Sequence, residues 1–245
     1  MALLGQSSDP AKAAYQMVAL YCDGPELDKM EQYASDERIS GFTTNPSIMR
    51  KAGITNYETF AKAVLARSNG KPVSFEVLSD DHDEMERQAL LLHSWGENVY
   101  VKIPVTDTEG VYTTELVRRL IRQNVKVNIT AVMTDEQVDY IGNMHSFGRR
   151  PMIVSIFAGR IADTGLDPVL LFNYAKFRYG KHEKVKWLWA STRELANITQ
   201  AEACADIITL SPDLIAKMSL LGKDLTEYSL ETVRQFYNDG KGIEL

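Results

Sequence analysis

Short apolar runs recur along the chain, and in several of them apolar and polar residues alternate with a period of two. This pattern predicts eight β-strands, because alternate side chains of a strand point to opposite faces. The runs span residues 17–23, 40–45, 72–77, 99–104, 126–132, 152–158, 185–191 and 205–210. The segments between them are long enough for helices, and Leu116, Leu120 and Ile121 have the spacing of a helix that buries one face.

Strands that alternate with helical segments predict a parallel sheet, because a parallel pair needs a crossover connection. Eight such units in 245 residues favour an α/β fold of the (β/α)8 TIM-barrel type over an open doubly wound sheet. No Pro-, Gly- or Ser-rich linker divides the chain, so we expect residues 1–245 to form a single domain. Residues 225–245 predict an additional C-terminal helix, in which Leu230, Val233 and Phe236 recur at helical spacing. This helix is a candidate interface of an expected homo-oligomer.

The alternation within the runs assigns polar residues to the inward face of the barrel. In the fourth run three apolar residues share one face, which leaves Tyr100 and Lys102 on the other. The same assignment in the first, third, fifth and sixth runs adds five polar side chains to the interior: Asp23, Glu76, Asn128, Thr130 and Ser155. In the seventh run Trp187 and Trp189 are assigned to the inward face as packing or as a pocket wall.

Lys102 is the most informative of these residues. A buried ammonium is costly to desolvate, so a lysine inside a strand needs a charged partner or a chemical use, whereas the other polar residues can be structural. A lysine in a low-dielectric pocket favours its neutral amine, which can attack a carbonyl and form an imine. Carboxylates such as Asp23 and Glu76 suit the proton transfers that this chemistry needs. It requires neither a metal nor a cofactor, and none is expected.

Basic and hydroxyl residues lie at or just beyond the ends of the later runs, namely Arg160, Ser191 and Arg193. The loops that follow barrel strands build active sites, often with a phosphate site near the last strands. Two guanidinium groups, a hydroxyl and helix-start amides would bind a phosphate or a similar anion. An isolated arginine is more commonly a surface ion-pair residue, but the shared location of these residues favours an anion site.

Charge and cysteine usage narrow the functional class. The net charge is -6 and no basic run is present, which argues against a nucleic-acid partner but not against a small anionic substrate. The two cysteines, Cys22 and Cys204, form no metal or disulfide pattern. No run approaches the ~20 apolar residues of a membrane span, and residues 1–12 lack a secretory pattern. We therefore expect a cytoplasmic protein without a membrane partner.

The acidic segment at residues 80–84, with the sequence DDHDE, has the composition of a metal cluster. We interpret it as the start of a helix, where carboxylates complement the helix dipole, and we expect no metal site.

Five segments in order resemble the transaldolase and fructose-6-phosphate aldolase family, which the chain matches from about Met17 to Met218. They are GFTTNPSI at residues 41–48, VKIP at 101–104, NIT at 128–130, SIFAGRIADTG at 155–165 and WASTR at 189–193. Each segment alone is modest evidence, but five in register on predicted strands are highly specific.

The resemblance implies a role for each inward residue. Lys102 corresponds to the imine-forming lysine, and Asp23 to the carboxylate that takes or returns the proton of the substrate C4 hydroxyl. Glu76 and Thr130 correspond to the residues that hold a catalytic water. The residues that hydrogen-bond the dihydroxyacetone portion correspond to Asn45, Asn128 and Ser155. The phosphate-binding set corresponds to Arg160, Ser191 and Arg193.

Two positions favour a transaldolase within this family. The aldolase members typically carry Gln at the position of Glu76 and Tyr at that of Phe157, although the length of this chain is nearer theirs. The expected activity is the transfer of a dihydroxyacetone unit between sugar phosphates, as between sedoheptulose 7-phosphate and glyceraldehyde 3-phosphate. The alternatives are aldolase-type cleavage of fructose 6-phosphate and a transaldolase for a modified sugar, sulfonated or long-chain. A non-catalytic binding barrel is disfavoured, because binding alone does not need Lys102, Asp23 and Glu76 together.

Overall fold

The computed structural model describes residues 18–24, 26–142, 151–180 and 184–244. Its strands form a closed parallel barrel in which each strand pairs with the next along the chain and β8 pairs with β1. They are β1 Ala19–Asp23, β2 Ile39–Thr43, β3 Val73–Glu76, β4 Val99–Pro104, β5 Val127–Val132, β6 Met152–Ile156, β7 Val185–Trp189 and β8 Ile207–Leu210. This confirms the (β/α)8 TIM barrel. Met17 and Leu245, at the ends of two predicted segments, lie outside the described residues.

Helices follow the strands and surround the barrel. They are α1 Met30–Ser35, α2 Pro46–Lys51, α3 Tyr57–Arg67, α4 His82–Ser94, α5 Thr114–Arg122, α6 Asp135–Gly142, α7 Ala158–Asp163, α8 Pro168–Tyr179, α9 Ala196–Cys204, α10 Pro212–Lys217 and α11 Leu225–Asp239. The acidic segment at residues 80–84 begins α4, as predicted. The Asp81 carboxylate caps this helix by accepting the amide hydrogen of Glu84 at 2.8 Å.

Two layers of apolar side chains hold the barrel together. The larger layer lies between the outer face of the strands and the helices, where Phe75 and Leu116 are buried. The smaller layer fills the inside of the barrel and includes Tyr21, Ile153 and Ile207. Burial of apolar surface stabilises the fold by about 25 cal/mol per Å². Ile153 and Ile207 lie early in their strands, and Tyr21 precedes Asp23 on the same face, so these three residues form a floor beneath the polar residues at the carboxyl ends.

The inward assignment of Trp187 and Trp189 is wrong. Both side chains belong to the outer layer, and the Trp189 ring stacks on Phe172 of α8 with ring centroids 5.2 Å apart. Leu188 and Ala190 occupy the inward positions instead. The physical reason is that the buried residues on both faces of this segment are apolar, so they do not indicate which face is inward, and the polar Lys186 at the start of β7 is exposed.

The predicted C-terminal helix is confirmed as α11, and none of its residues is buried. Its exposed large apolar side chains include Leu225, Leu230, Val233, Phe236 and Tyr237. Homo-oligomerisation through this helix stays a prediction. Across the described ranges, none of the helices has both the length and the apolarity that a bilayer crossing requires.

Candidate active site

The centre of the site is a buried ion pair between neighbouring strands. The parallel register places Glu76 of β3 opposite Lys102 of β4, and Lys102 opposite Asn128 of β5. Lys102 is only 5% exposed, and its Nζ lies 3.0 Å from Oε2 of Glu76. The ammonium also donates to the backbone carbonyl of Thr44 at 3.1 Å. The lysine that the alternation placed inside the barrel therefore has a carboxylate partner there.

A second carboxylate, Asp23, ends β1 beside Thr43 of β2. The Thr43 hydroxyl donates to Oδ1 of Asp23 at 2.7 Å. Burial raises the pKa of Asp23 above its ordinary value, and the Lys102 charge and the Thr43 hydrogen bond offset this only in part. Asp23 is therefore a stronger base than a carboxylate in water.

Thr43 was not among the predicted site residues. A sequence signal existed, because alternation in the second run places Thr43 on the same face as Asn45, a predicted site residue, and Gly41. That face is inward, since a Cβ atom on Gly41 would lie 2.5 Å from the Tyr21 ring inside the barrel.

A chain of hydrogen bonds fixes the amide of Asn128 across three strands. Its Nδ2 donates to Oγ of Ser74 at 3.1 Å, and its Oδ1 accepts from Oγ of Ser155 at 2.7 Å. These contacts satisfy both ends of the buried amide and hold both hydroxyls in place. Thr130 differs, because its buried Oγ1 has no hydrogen-bond partner among the described residues. A buried hydroxyl of this kind indicates a position for a bound water or ligand group.

The backbone is locally irregular where β5 meets the site. The register with β6 shifts between Ile129 and Val132, and Ala131 has a φ of 64°. A residue with a side chain rarely adopts this left-handed conformation, which is costly unless its surroundings enforce it. The irregularity brings both Thr130 and Ala131 to the cavity.

The backbone of α7, which follows β6, approaches the backbone of the loop after β7 closely. A Cβ atom on Gly159 would lie 1.7 Å from the carbonyl oxygen of Ser191, so only glycine fits there. The contact brings the start of α7 against the loop after β7. Arg160 on α7 and Arg193 in that loop consequently line the same cavity.

The two arginines have different partners. Arg160 is exposed, with its Cζ atom 5.8 Å from the centroid of the Phe157 ring. Arg193 donates from Nε to Oδ1 of Asp163 at 3.1 Å. Arg193 thus combines the ion-pair role of a surface arginine with a place at the cavity.

The cavity has a volume of about 730 Å³ and opens at the carboxyl ends of the strands. Nine of the predicted site residues line it: Asp23, Asn45, Glu76, Lys102, Thr130, Ser155, Arg160, Ser191 and Arg193. Asn128, the remaining one, is fully buried and is bonded to Ser155. Asn45 also caps α2 by accepting the amide hydrogen of Ile48 at 3.0 Å. The cavity is also lined by Lys51, Phe157 and Thr192. Of these three, only Phe157 was predicted from the sequence to bear on function.

Comparisons with known proteins point to one family. The family described as Transaldolase/Fructose-6-phosphate aldolase matches residues 20–244. A "Probable transaldolase" of Dehalococcoides mccartyi is 27% identical over 226 residues, which covers 92% of this chain and 99% of that protein. A "Probable transaldolase" of Roseiflexus castenholzii is 30% identical, with coverage of 86% and 93%.

Solved structures that resemble this chain share its fold. Tryptophan synthase subunit alpha from Campylobacter jejuni has a TM-score of 0.53 at 12% identity, covering 82% of this chain and 89% of its own. Orotidine 5'-monophosphate decarboxylase from Metallosphaera sedula has a TM-score of 0.52 at 12% identity, with coverage of 86% and 99%. At these identities the likeness concerns the barrel alone.

The Asp23–Thr43 hydrogen bond generates a prediction about pH dependence. If ionised Asp23 is the base, kcat/KM falls as the pH drops through the pKa of Asp23. Thr43→Val removes one of the contacts that lower this pKa, so the pKa rises and the acidic limb of the profile moves to higher pH. The measurement is the pH dependence of kcat/KM for the enzymatic reaction, compared between the wild type and Thr43→Val.

Thr44→Val is the matched control, because the Thr44 hydroxyl binds the carbonyl of Ser74 and not Asp23. Its acidic limb should stay at the wild-type position. An unchanged limb in Thr43→Val, or the same movement in both variants, would contradict the assignment of Asp23 as the base.

Proposed function

Because the chain belongs to the transaldolase/fructose-6-phosphate aldolase family, we propose that it transfers a dihydroxyacetone unit from a ketose phosphate to an aldose phosphate. The observation that carries this proposal is the buried amine of Lys102, 3.0 Å from the Glu76 carboxylate, in a cavity that also contains Asp23. The names of the relatives agree with it, and those relatives match this chain over 93% or more of their own length. The compact length of this chain is therefore no objection to a transaldolase.

The first stage forms an imine on Lys102. The ammonium gives a proton to Glu76, directly or through a water that Thr130 holds, and the neutral amine attacks the substrate ketone. Glu76 then returns a proton to the carbinolamine oxygen, which leaves as water. The Nζ–Oε2 distance of 3.0 Å is within the range of such a transfer.

The second stage breaks the bond between C3 and C4. Asp23 takes the proton of the C4 hydroxyl, an aldehyde is released, and the bonding electrons enter the protonated imine to give an enamine. The raised pKa of Asp23 suits a base, because its affinity for the proton is higher than that of a solvated carboxylate. An acceptor aldehyde then reacts with the enamine by the same steps in reverse, and hydrolysis of the new imine frees the product.

Binding groups surround this centre in the proposed arrangement. The residues assigned to the hydroxyls of the three-carbon unit are Asn45, Asn128 and Ser155. The residues assigned to the phosphate are Arg160, Ser191 and Arg193. The last three line the rim after β6 and β7, so the sugar would extend from Lys102 towards them.

Phe157 supports transfer over simple cleavage. It lines the cavity and is only partly buried, but it has no hydroxyl to protonate the enamine. The enamine should therefore persist until an acceptor arrives. Aldolase-type release of dihydroxyacetone is the alternative outcome.

A product assay tests this proposal. Fructose 6-phosphate alone should yield little free dihydroxyacetone, and an aldose phosphate acceptor should raise turnover strongly. Phe157→Tyr supplies a proton donor and should raise acceptor-independent release by about tenfold or more, since general acid catalysis contributes roughly 10²–10⁴-fold. Phe157→Leu is the control, because it changes the ring without adding a hydroxyl. Rapid release by the wild type without an acceptor would identify an aldolase.

Arg160→Ala and Arg193→Ala test the anion site. Each should weaken the use of phosphorylated substrates far more than that of dihydroxyacetone. A hydrogen bond to a charged group is worth about 1.5–3 kcal/mol, which is roughly one to two powers of ten in affinity. The measurement is kcat/KM for donors with and without phosphate. Equal losses for both substrate types would mean that the arginines are structural.

A further inference from the structure

A carboxylate lies against the proposed anion site. Asp163 is the last residue of α7, three positions after Arg160. Its two carboxylate oxygens accept hydrogen bonds from Nε and Nη2 of Arg193, the first at 3.1 Å. This bidentate pair joins the end of α7 to the loop after β7. The side chains of both partners are about half exposed, at 54% for Asp163 and 48% for Arg193.

Asp163 is ionised at neutral pH. Its hydrogen bond to Arg193 and the charges of Arg193 and Arg160 hold its pKa below the ordinary value. Arg193 and Arg160 line the cavity, whereas Asp163 does not. The charges of these three groups sum to +1, because the carboxylate neutralises one of the two guanidinium groups.

We propose that Asp163 tunes the specificity of this anion site by weakening its preference for doubly charged terminal groups relative to singly charged ones. The inference rests on the proposed function, in which Arg160 and Arg193 bind the substrate anion. A phosphate monoester carries about -1.5 to -2 charges at neutral pH, whereas a sulfate ester or a sulfonate carries one. Repulsion by the Asp163 carboxylate grows with the charge of the ligand.

Asp163 also orients Arg193, but this effect can be separated from repulsion. Orientation of the guanidinium assists both kinds of anion, and it assists the doubly charged one at least as much, because attraction also grows with ligand charge. A loss of orientation would therefore lower the phosphate affinity relative to the sulfate affinity or leave it unchanged, whereas a loss of repulsion raises it. The direction of the change in this ratio distinguishes the two effects.

The test compares two esters that bind without chemistry. Glycerol 3-phosphate and glycerol 3-sulfate have the same shape and no carbonyl, so neither forms an imine. Their dissociation constants are measured by equilibrium titration at pH 8 for the wild type and for Asp163→Asn. The substitution should improve the phosphate affinity relative to the sulfate affinity by about threefold, the scale expected when one charge interacts across a few ångströms of water.

The change should shrink at pH 5.5, where the phosphate ester is mostly singly charged, since its second pKa is about 6. Glu37→Gln is the matched control, because it removes one carboxylate charge from an exposed residue just before β2, at the opposite end of the barrel from the cavity. It should leave the affinity ratio unchanged. Arg193→Ala should weaken both esters, which shows that they occupy this site.

An equal effect of Asp163→Asn on both esters, or none at all, would overturn the inference. If the wild type bound neither ester, the inference would also be overturned. Turnover of fructose 6-phosphate would in that case still support the transaldolase proposal. The predicted ratio in a protein that lacks transaldolase turnover would support the inference and refute the proposed function.

Discussion

The ion pair of Lys102 and Glu76 inside the barrel is the interaction on which the rest of the site depends. Two charges removed from water lose several kcal/mol of solvation each, and only close contact with further hydrogen bonds compensates. The strand register supplies the contact, because it places the two residues side by side. The carbonyl of Thr44 supplies a further hydrogen bond to the ammonium. A lysine held in this way is close to a base and shielded from bulk water, which is the condition for imine chemistry.

The barrel separates packing from chemistry along its axis. The apolar floor lies beneath the polar residues, and the carboxyl ends of the strands bring polar side chains from different elements to one cavity. The backbone is irregular beside the cavity, at Ala131 and at the contact between Gly159 and Ser191. The second contact joins the two loops that carry the arginines. A regular barrel thus supports a site whose geometry is set by a few strained positions.

Alternation along the strands predicted much of this arrangement and failed for identifiable reasons. Polar residues fixed the inward face of β4, so Lys102 could be placed correctly. The buried residues of β7 are apolar on both faces, and its tryptophans were misassigned. The positions of Arg160 and Arg193, just beyond the strand ends, could also be predicted from the sequence. Asp163 could not, because its partner Arg193 lies 30 residues away on another loop and no local pattern encodes the pairing.

The central claim, that Lys102 is the nucleophile, is tested most directly by trapping the imine. The protein is incubated with fructose 6-phosphate and reduced with borohydride, and mass spectrometry locates the added mass. The account predicts a stable adduct on Lys102 in the wild type and in Lys51→Met, which removes the other lysine among the described residues that line the cavity. No adduct should form in Lys102→Met. An adduct that forms equally well in Lys102→Met would contradict the claim.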